Sequence, residues 1–152
     1  MTCALPLNIV DEERVVRAVR VPQHFDPKKK RLKPAAFRPP AGSSVVSVIR
    51  NAMGDDFCKN KAVEILNDHY IGLAAIRAGD VRQLGSAVVD DREGYCGHAL
   101  IEHGIPAPPA NEPPATAADT LRLQGRLERL AAAAAFHIDP SPAIRGWSGP
   151  AL

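Results

Sequence analysis

Residues 32–50, LKPAAFRPPAGSSVVSVIR, carry two signals that meet at Ala41 and Gly42, a turn signal. After that turn, residues 43–50 (SSVVSVIR) are β-branched and alternate, the clearest strand pattern in the chain. Val45, Ser47 and Ile49 point one way, and Val46, Val48 and Arg50 the other. Both sets are mostly apolar, which suits an interior strand of a sheet. Before the turn, Pro34, Pro39 and Pro40 flank residues 35–38 (AAFR). That piece is expected to be extended and exposed, because proline donates no ladder hydrogen bond and is excluded from central strands.

Upstream, residues 22–33 (PQHFDPKKKRLK) read as an exposed turn or loop started by Asp26 and Pro27. Lys28, Lys29, Lys30 and Arg31 stand together there as a candidate anion-binding group. Residues 11–21 (DEERVVRAVRV) admit a helix, with Asp11 as cap, or a strand. The four valines and Pro22 favour the strand. As a strand, Val15, Arg17, Val19 and Val21 share one face, and an arginine among valines needs a partner or a site.

Downstream, residues 55–68 predict a helix capped by Asp55 or Asp56, with Phe57, Ala62, Ile65 and Leu66 as its apolar stripe. Residues 70–77 (YIGLAAIR) predict a buried strand. Residues 78–84 predict a helical turn with Asp80 as cap, and residues 86–89 a short strand. Residues 95–105 (YCGHALIEHGI) predict a strand with Cys96, His98 and Glu102 on one face and His103 on the other. Residues 106–114 hold five prolines and predict a stiff linker. Residues 115–136 are rich in Ala, Leu, Arg and Glu and predict a helix, with Leu123, Leu127 and Leu130 along one face. Residues 137–152 predict an irregular surface tail in which Trp147 is an anchor for the body or for a partner.

The expected fold class is therefore α+β: a single small domain with a mixed or antiparallel sheet, two to three helices, a C-terminal helix and a tail. Its divisions are a core over 1–105 with a basic first third, a linker over 106–114, the helix 115–136 and the tail 137–152. A length of 152 residues with 45% apolar and 24% charged residues supports such a core without metal or disulfide. The net charge of +2 hides an asymmetry, since residues 1–50 hold ten Lys/Arg against four Asp/Glu. A basic lobe points to an anionic partner. Residues 1–10 read as a loosely held arm without signal-peptide character. No stretch is long enough to span a membrane. Three widely spaced cysteines, Cys3, Cys58 and Cys96, suggest free thiols, a reducing compartment and a cytoplasmic protein.

Cys96, His98 and His103 form the densest reactive group. Zinc sites present two close ligand pairs, and only one is present, so no metal is called for. No phosphate-binding loop, dinucleotide fingerprint, zinc-protease helix or nucleophile-elbow motif occurs.

The succession Val-Val-Arg, a proline-flanked Ala-Ala-Phe, Ser-Val-Val-Ser-Val and Gly-His-Ala-Leu-Ile resembles that of small uncharacterised bacterial proteins. The order over residues 15–102 is also similar to that of ADP-ribosyltransferase-like folds. This second resemblance implies Arg17 or His24 on a first strand, Ser47 on a middle strand and His98 or Glu102 on a late strand around NAD. The chain departs from it in lacking evident aromatics to stack the adenine. The leading expectation is a non-enzymatic accessory or protein-interaction component of a bacterial multi-protein system. A larger protein would be its partner, engaged through the helix 115–136 or through Trp147. Its rivals are an NAD- or nucleotide-processing enzyme using Arg17, Ser47, His98 and Glu102, and a non-specific nucleic-acid binder using Lys28, Lys29, Lys30 and Arg31. No cofactor is implied.

Overall fold

The structure is a computed structural model, and it describes residues 2–108 and 116–152. In chain order the strands and helices are β1 (Arg14–Arg20), β2 (Phe25–Asp26), β3 (Arg31–Leu32), β4 (Val45–Arg50), α1 (Asp55–Leu66), β5 (Tyr70–Arg77), α2 (Ala78–Gln83), β6 (Ala87–Asp90), β7 (His98–Glu102), α3 (Ala117–Ala133) and β8 (Ala135–Ile138). Six strands form one sheet in the order β6-β7-β4-β1-β5-β8, with every pairing antiparallel. The strands β2 and β3 form a separate hairpin. The chain is thus a single small α+β domain. No helix among the described residues is long and apolar enough to cross a membrane.

β1 and β4 lie at the centre, and their alternation sorts the core into two layers. Val15, Val19, Val46 and Val48 face Leu123, Leu127 and Leu130 of α3. Val16, Ala18 and Ile49 face Cys58 and Ala62 of α1. The sheet is therefore covered on both faces, which is why its central strands are apolar on both sides. Residues 11–21 resolve as the strand alternative, and residues 70–77 form β5 as expected.

Several expectations need correction. Residues 35–38 are not extended: Pro34–Phe37 is a single 3-10 turn. Pro34 occupies the first turn, where its missing N–H costs nothing, and Ala36 and Phe37 are fully buried. The loop 22–33 contains the β2–β3 hairpin. The strand expected from residue 95 begins at His98, because Gly97 takes a φ of +99. The long helix stops at Ala133. Ala135–Ile138 then becomes β8 on the free edge of β5, and Phe136 lies 5.3 Å from Phe25, centroid to centroid. The helix propensity of an alanine run is worth less than about 1 kcal/mol per residue, and edge pairing with burial of Phe136 outweighs it. Residues 109–115, most of the linker and the first residue of the expected helix, lie outside the described residues. Ala107, inside the linker, is buried and exchanges backbone hydrogen bonds with Gly42 and Ser43.

The α1 stripe keeps Ala62, with Phe57 and Leu66 packed against the second core, but departs from expectation at Ile65. Ile65 is exposed, whereas Cys58, Lys59 and Ala62 are buried. Asp55, Asp56 and Asp80 cap no helix through their side chains. Asp56 instead accepts from the Trp147 N–H, and Lys59 collects the tail. The Lys59 Nζ sits 2.9 Å from Asp139 Oδ2 and donates to the carbonyls of Ser141, Ile144 and Gly146. The tail therefore completes the second core, ending in buried Leu152.

The N-terminal arm is pinned rather than loose. Ile9 is buried, and the Pro6 and Leu5 carbonyls accept from Arg50 and Arg92. Cys3 and Cys96 form a disulfide, so the expectation of free thiols holds only for Cys58. The ground for inferring a reducing compartment goes with it.

Candidate functional site

The site begins with an interruption in the sheet. β1 pairs with β5 from Arg14 to Arg20, and β4 pairs with β7 from Val45 to Ile49. Between themselves, β1 and β4 pair only at Val15 with Arg50 and Val16 with Ile49. Beyond Val16 the two central strands separate, and the Pro34–Phe37 turn lies against the opening.

Arg17 stands in that opening. Its Nε donates to the Ala36 carbonyl at 2.7 Å and its Nη1 to the Ser47 carbonyl at 3.1 Å. The guanidinium thus replaces the missing strand pairing and ties β1 to both neighbours. No carboxylate among the described residues answers it. Burial, with the nearby Arg20 adding to it, lowers its pKa from 12.5 to about 10, so it stays charged at neutral pH. The partner or site expected for this arginine is two carbonyls and a cavity.

The cavity occupies about 510 Å³. Arg17, Arg20, Arg38, Gln23, His24, Ser43 and Ser47 line it, and among the described residues no acid does. The register between β1 and β5 shifts between Val19 and Arg20. Strict alternation would separate Arg20 from Arg17, and the shift at the strand's end accompanies their meeting at one cavity. His24 is buried, and its Nδ1 accepts the Arg20 N–H at 3.3 Å. Burial, followed by Arg17 and Arg20, lowers its pKa to about 4, so the ring is neutral.

The turn is braced from behind. His103 donates from Nε2 to the Phe37 carbonyl at 3.0 Å, and its Nδ1 then accepts from the Ser86 hydroxyl at 2.7 Å. Burial holds the His103 pKa below its usual value. Arg126 of α3 donates to Ser86 and to the His103 carbonyl. The α3 helix therefore supports the turn that frames the cavity.

The residues singled out in the sequence fall into separate places. Arg17 and Ser47 line the same cavity. His98 does not reach it: its Nδ1 pairs with Asp91 Oδ2 at 2.9 Å, and its ring packs on Tyr95. Glu102 is paired with Val45 across β7 and β4 and accepts the Gly104 N–H. Hydrogen bonds from Ser44 and from Gly104 hold its pKa below the usual carboxylate value. Lys28, Lys29, Lys30 and Arg31 are all exposed on the β2–β3 hairpin. Asp26 Oδ1 accepts the Lys28 and Lys29 N–H groups and fixes that tip. Trp147 is half-buried on its own chain, donating from Nε1 to the Pro150 carbonyl.

Cys96 is held in the disulfide and has no thiol to offer. Cys58 is buried, which, with Asp55 nearby, raises its pKa to about 12 and leaves it unreactive. Among the described residues, no three His, Cys, Asp or Glu side chains gather as metal ligands. Arg20 and Arg38 carried no distinguishing sequence signal, since one ends a strand and the other follows a turn.

Comparison of the chain with protein-family models, with curated proteins and with solved structures finds no match.

Proposed function

We propose that the protein acts by binding rather than by catalysis, as an accessory component that presents a basic face to an acidic segment of a larger protein partner. One observation carries this reading. Residues 14–40 hold nine Lys/Arg and a single acid, Asp26, and the four cations of the hairpin are all exposed on a tip fixed by that acid. A fixed cluster of one sign attracts a complementary partner and sets its orientation. Phe25 and Phe37, the only aromatics of the stretch, are buried. Bases would find no stacking platform there, which favours an acidic peptide over a nucleic acid. The compartment belongs to the same proposal: a cytoplasmic site would expose the Cys3–Cys96 bridge to thiol reductants.

The test is fluorescence anisotropy with a labelled oligo-glutamate peptide and a labelled single-stranded oligonucleotide, each titrated at rising salt. The peptide is expected to bind at low salt, to weaken as salt rises, and to be lost when Lys28, Lys29, Lys30 and Arg31 are all changed to Glu. Preference for the oligonucleotide would replace the protein partner by a nucleic acid. Indifference of both to the fourfold change would overturn the reading.

A second reading, an NAD- or nucleotide-processing transferase, draws on Arg17 and Ser47 lining one cavity. It needs a late-strand polar residue there, and His98 and Glu102 sit elsewhere. NAD turnover by the purified protein that disappears in Ser47→Ala would favour it.

A further inference from the structure

We infer that the opening between β1 and β4 is a binding site for a phosphate monoester, with the dianion held by Arg17, Arg20 and Arg38 and the neutral body of the molecule against Pro39, Pro40 and Val45. This inference rests on reading the basic face as a binding surface. It concerns a different part of that face from the hairpin.

The argument begins with Arg17. Its hydrogen bonds to the Ala36 and Ser47 carbonyls fix the plane of the guanidinium but neutralise none of its charge. The Nη2 group makes no hydrogen bond within the described residues, so donors remain on a cation whose position is already set. The fully buried Arg50 finds two carboxylates, Glu13 and Asp90, in this same sheet, whereas Arg17 is half-buried. At Arg17 the carboxylate is missing, and a cavity takes its place.

The lining then decides the ligand. Among the described residues, three guanidiniums and no acid face the cavity. A single carboxylate would leave most of that charge unanswered, whereas a phosphate monoester carries about −1.5 to −2 at neutral pH and offers three acceptor oxygens. Guanidinium groups engage such oxygens in paired hydrogen bonds. Hydroxyl donors are also present. Ser43 Oγ accepts the Val45 N–H, which leaves its hydrogen free to donate, and Ser47 is exposed beside it. His24, being neutral, adds no further charge. The remaining wall is mostly apolar, formed by Ala35, Pro39, Pro40, Val45 and Val46, with Gln23 as its one further polar side chain among the described residues. A volume of about 510 Å³ is within the range of small-molecule sites. An anionic head with a neutral body fits both halves.

The monoester has two sources, a free phosphorylated small molecule or a phosphorylated side chain of the acidic partner. Calorimetric titrations separate them. The probes are ribose 5-phosphate, ribose, a short peptide carrying phosphoserine and the same peptide unphosphorylated. The wild-type protein is expected to bind at least one phosphorylated probe and neither unphosphorylated one. Saturable binding of ribose 5-phosphate alone assigns the free molecule, and binding of the phosphopeptide alone assigns the partner. Arg20→Ala and Arg38→Ala, both at exposed positions, are each expected to weaken that binding about tenfold. Arg17→Lys is expected to weaken it further, with its folding checked by circular dichroism. The fourfold hairpin change is expected to weaken ribose 5-phosphate binding less than Arg20→Ala or Arg38→Ala does.

Failure of both phosphorylated probes, or equal affinity of the wild type and the Arg20→Ala/Arg38→Ala double variant, overturns the inference. A protein that binds oligo-glutamate through the hairpin but no monoester loses this site and keeps the proposed function. One that binds a monoester but no oligo-glutamate keeps the site and loses the acidic partner.

Discussion

His24 and His103 frame the same turn from opposite sides, and both are held neutral. Burial, then Arg17 and Arg20, lowers the His24 pKa from 6.5 to about 4, and burial lowers that of His103. An unfolded chain takes up a proton at each as the pH falls through 6.5, whereas the folded His24 resists it until about 4. Their contribution to stability is therefore complete above 6.5 and is lost as the pH falls towards 4. Denaturant melts at pH 7.5 and 4.5 are expected to differ by on the order of 2 kcal/mol. His24→Asn should flatten most of that slope, and an unchanged slope would remove His24 as its source. Arg17 was legible in the sequence because alternation placed it among valines. The same alternation placed Arg50 beside Val46 and Val48, yet its burial was not legible. Its partners Glu13, Asp90 and the Pro6 carbonyl are distant in sequence, and nothing local announces them. Lys59 is hidden for the same reason, since the carbonyls that hold it belong to the tail.

At the scale of elements, β5 and β8 show how close approach is built. A Cβ added at Gly72 would stand 2.2 Å from the His137 carbonyl oxygen, a backbone atom that cannot swing aside. Gly72→Ala is expected to push β8 from its edge and cost about 1–3 kcal/mol in thermal melts, with faster amide exchange at residues 135–138. Gly125 in α3 is the control. A Cβ there meets nothing within 4 Å, so Gly125→Ala should stabilise by about 0.5–1 kcal/mol. Destabilisation by both would point to a general intolerance rather than to the approach of β8. Strands β1 and β4 were legible from their valine-rich alternation, and β5 from its short continuous apolar run. The Pro34–Phe37 turn and the end of α3 were not. Prolines signal an interruption without naming its form, and alanines permit a helix without requiring one. The opening between β1 and β4 was equally hidden, because pairing length depends on both strands at once.

For the whole molecule, the Cys3–Cys96 bridge closes a sequence separation of 93 residues and ties the arm to the loop before β7. Loop closure over this span sets a limit of about 4.7 kcal/mol, and disulfides typically contribute roughly 2–4 kcal/mol. Cys3→Ser, or reduction of the native protein, is expected to lower the stability by that amount in denaturant melts. No change would mean that Arg50 and Arg92 hold the arm unaided. Each end of the chain is thus fastened to a different layer, the arm through Arg50 and Arg92 and the tail through Lys59.

The placement of β1 at the centre of the sheet also bears on synthesis. It precedes every other strand of this sheet in the chain, yet Arg14 must wait for Arg77, and the far edge of β5 waits for residues 135–138. Such long-range pairings form late, because the loop entropy is spent before the strand pairing offsets it. In the interval a valine-rich strand stands without neighbours, the kind of segment that aggregates. Arg14, Arg17 and Arg20 break it at every third position. Charges spaced in this way act as gatekeepers. The cations that later surround the opening would then serve the nascent chain first, keeping its central strand soluble until its partners emerge.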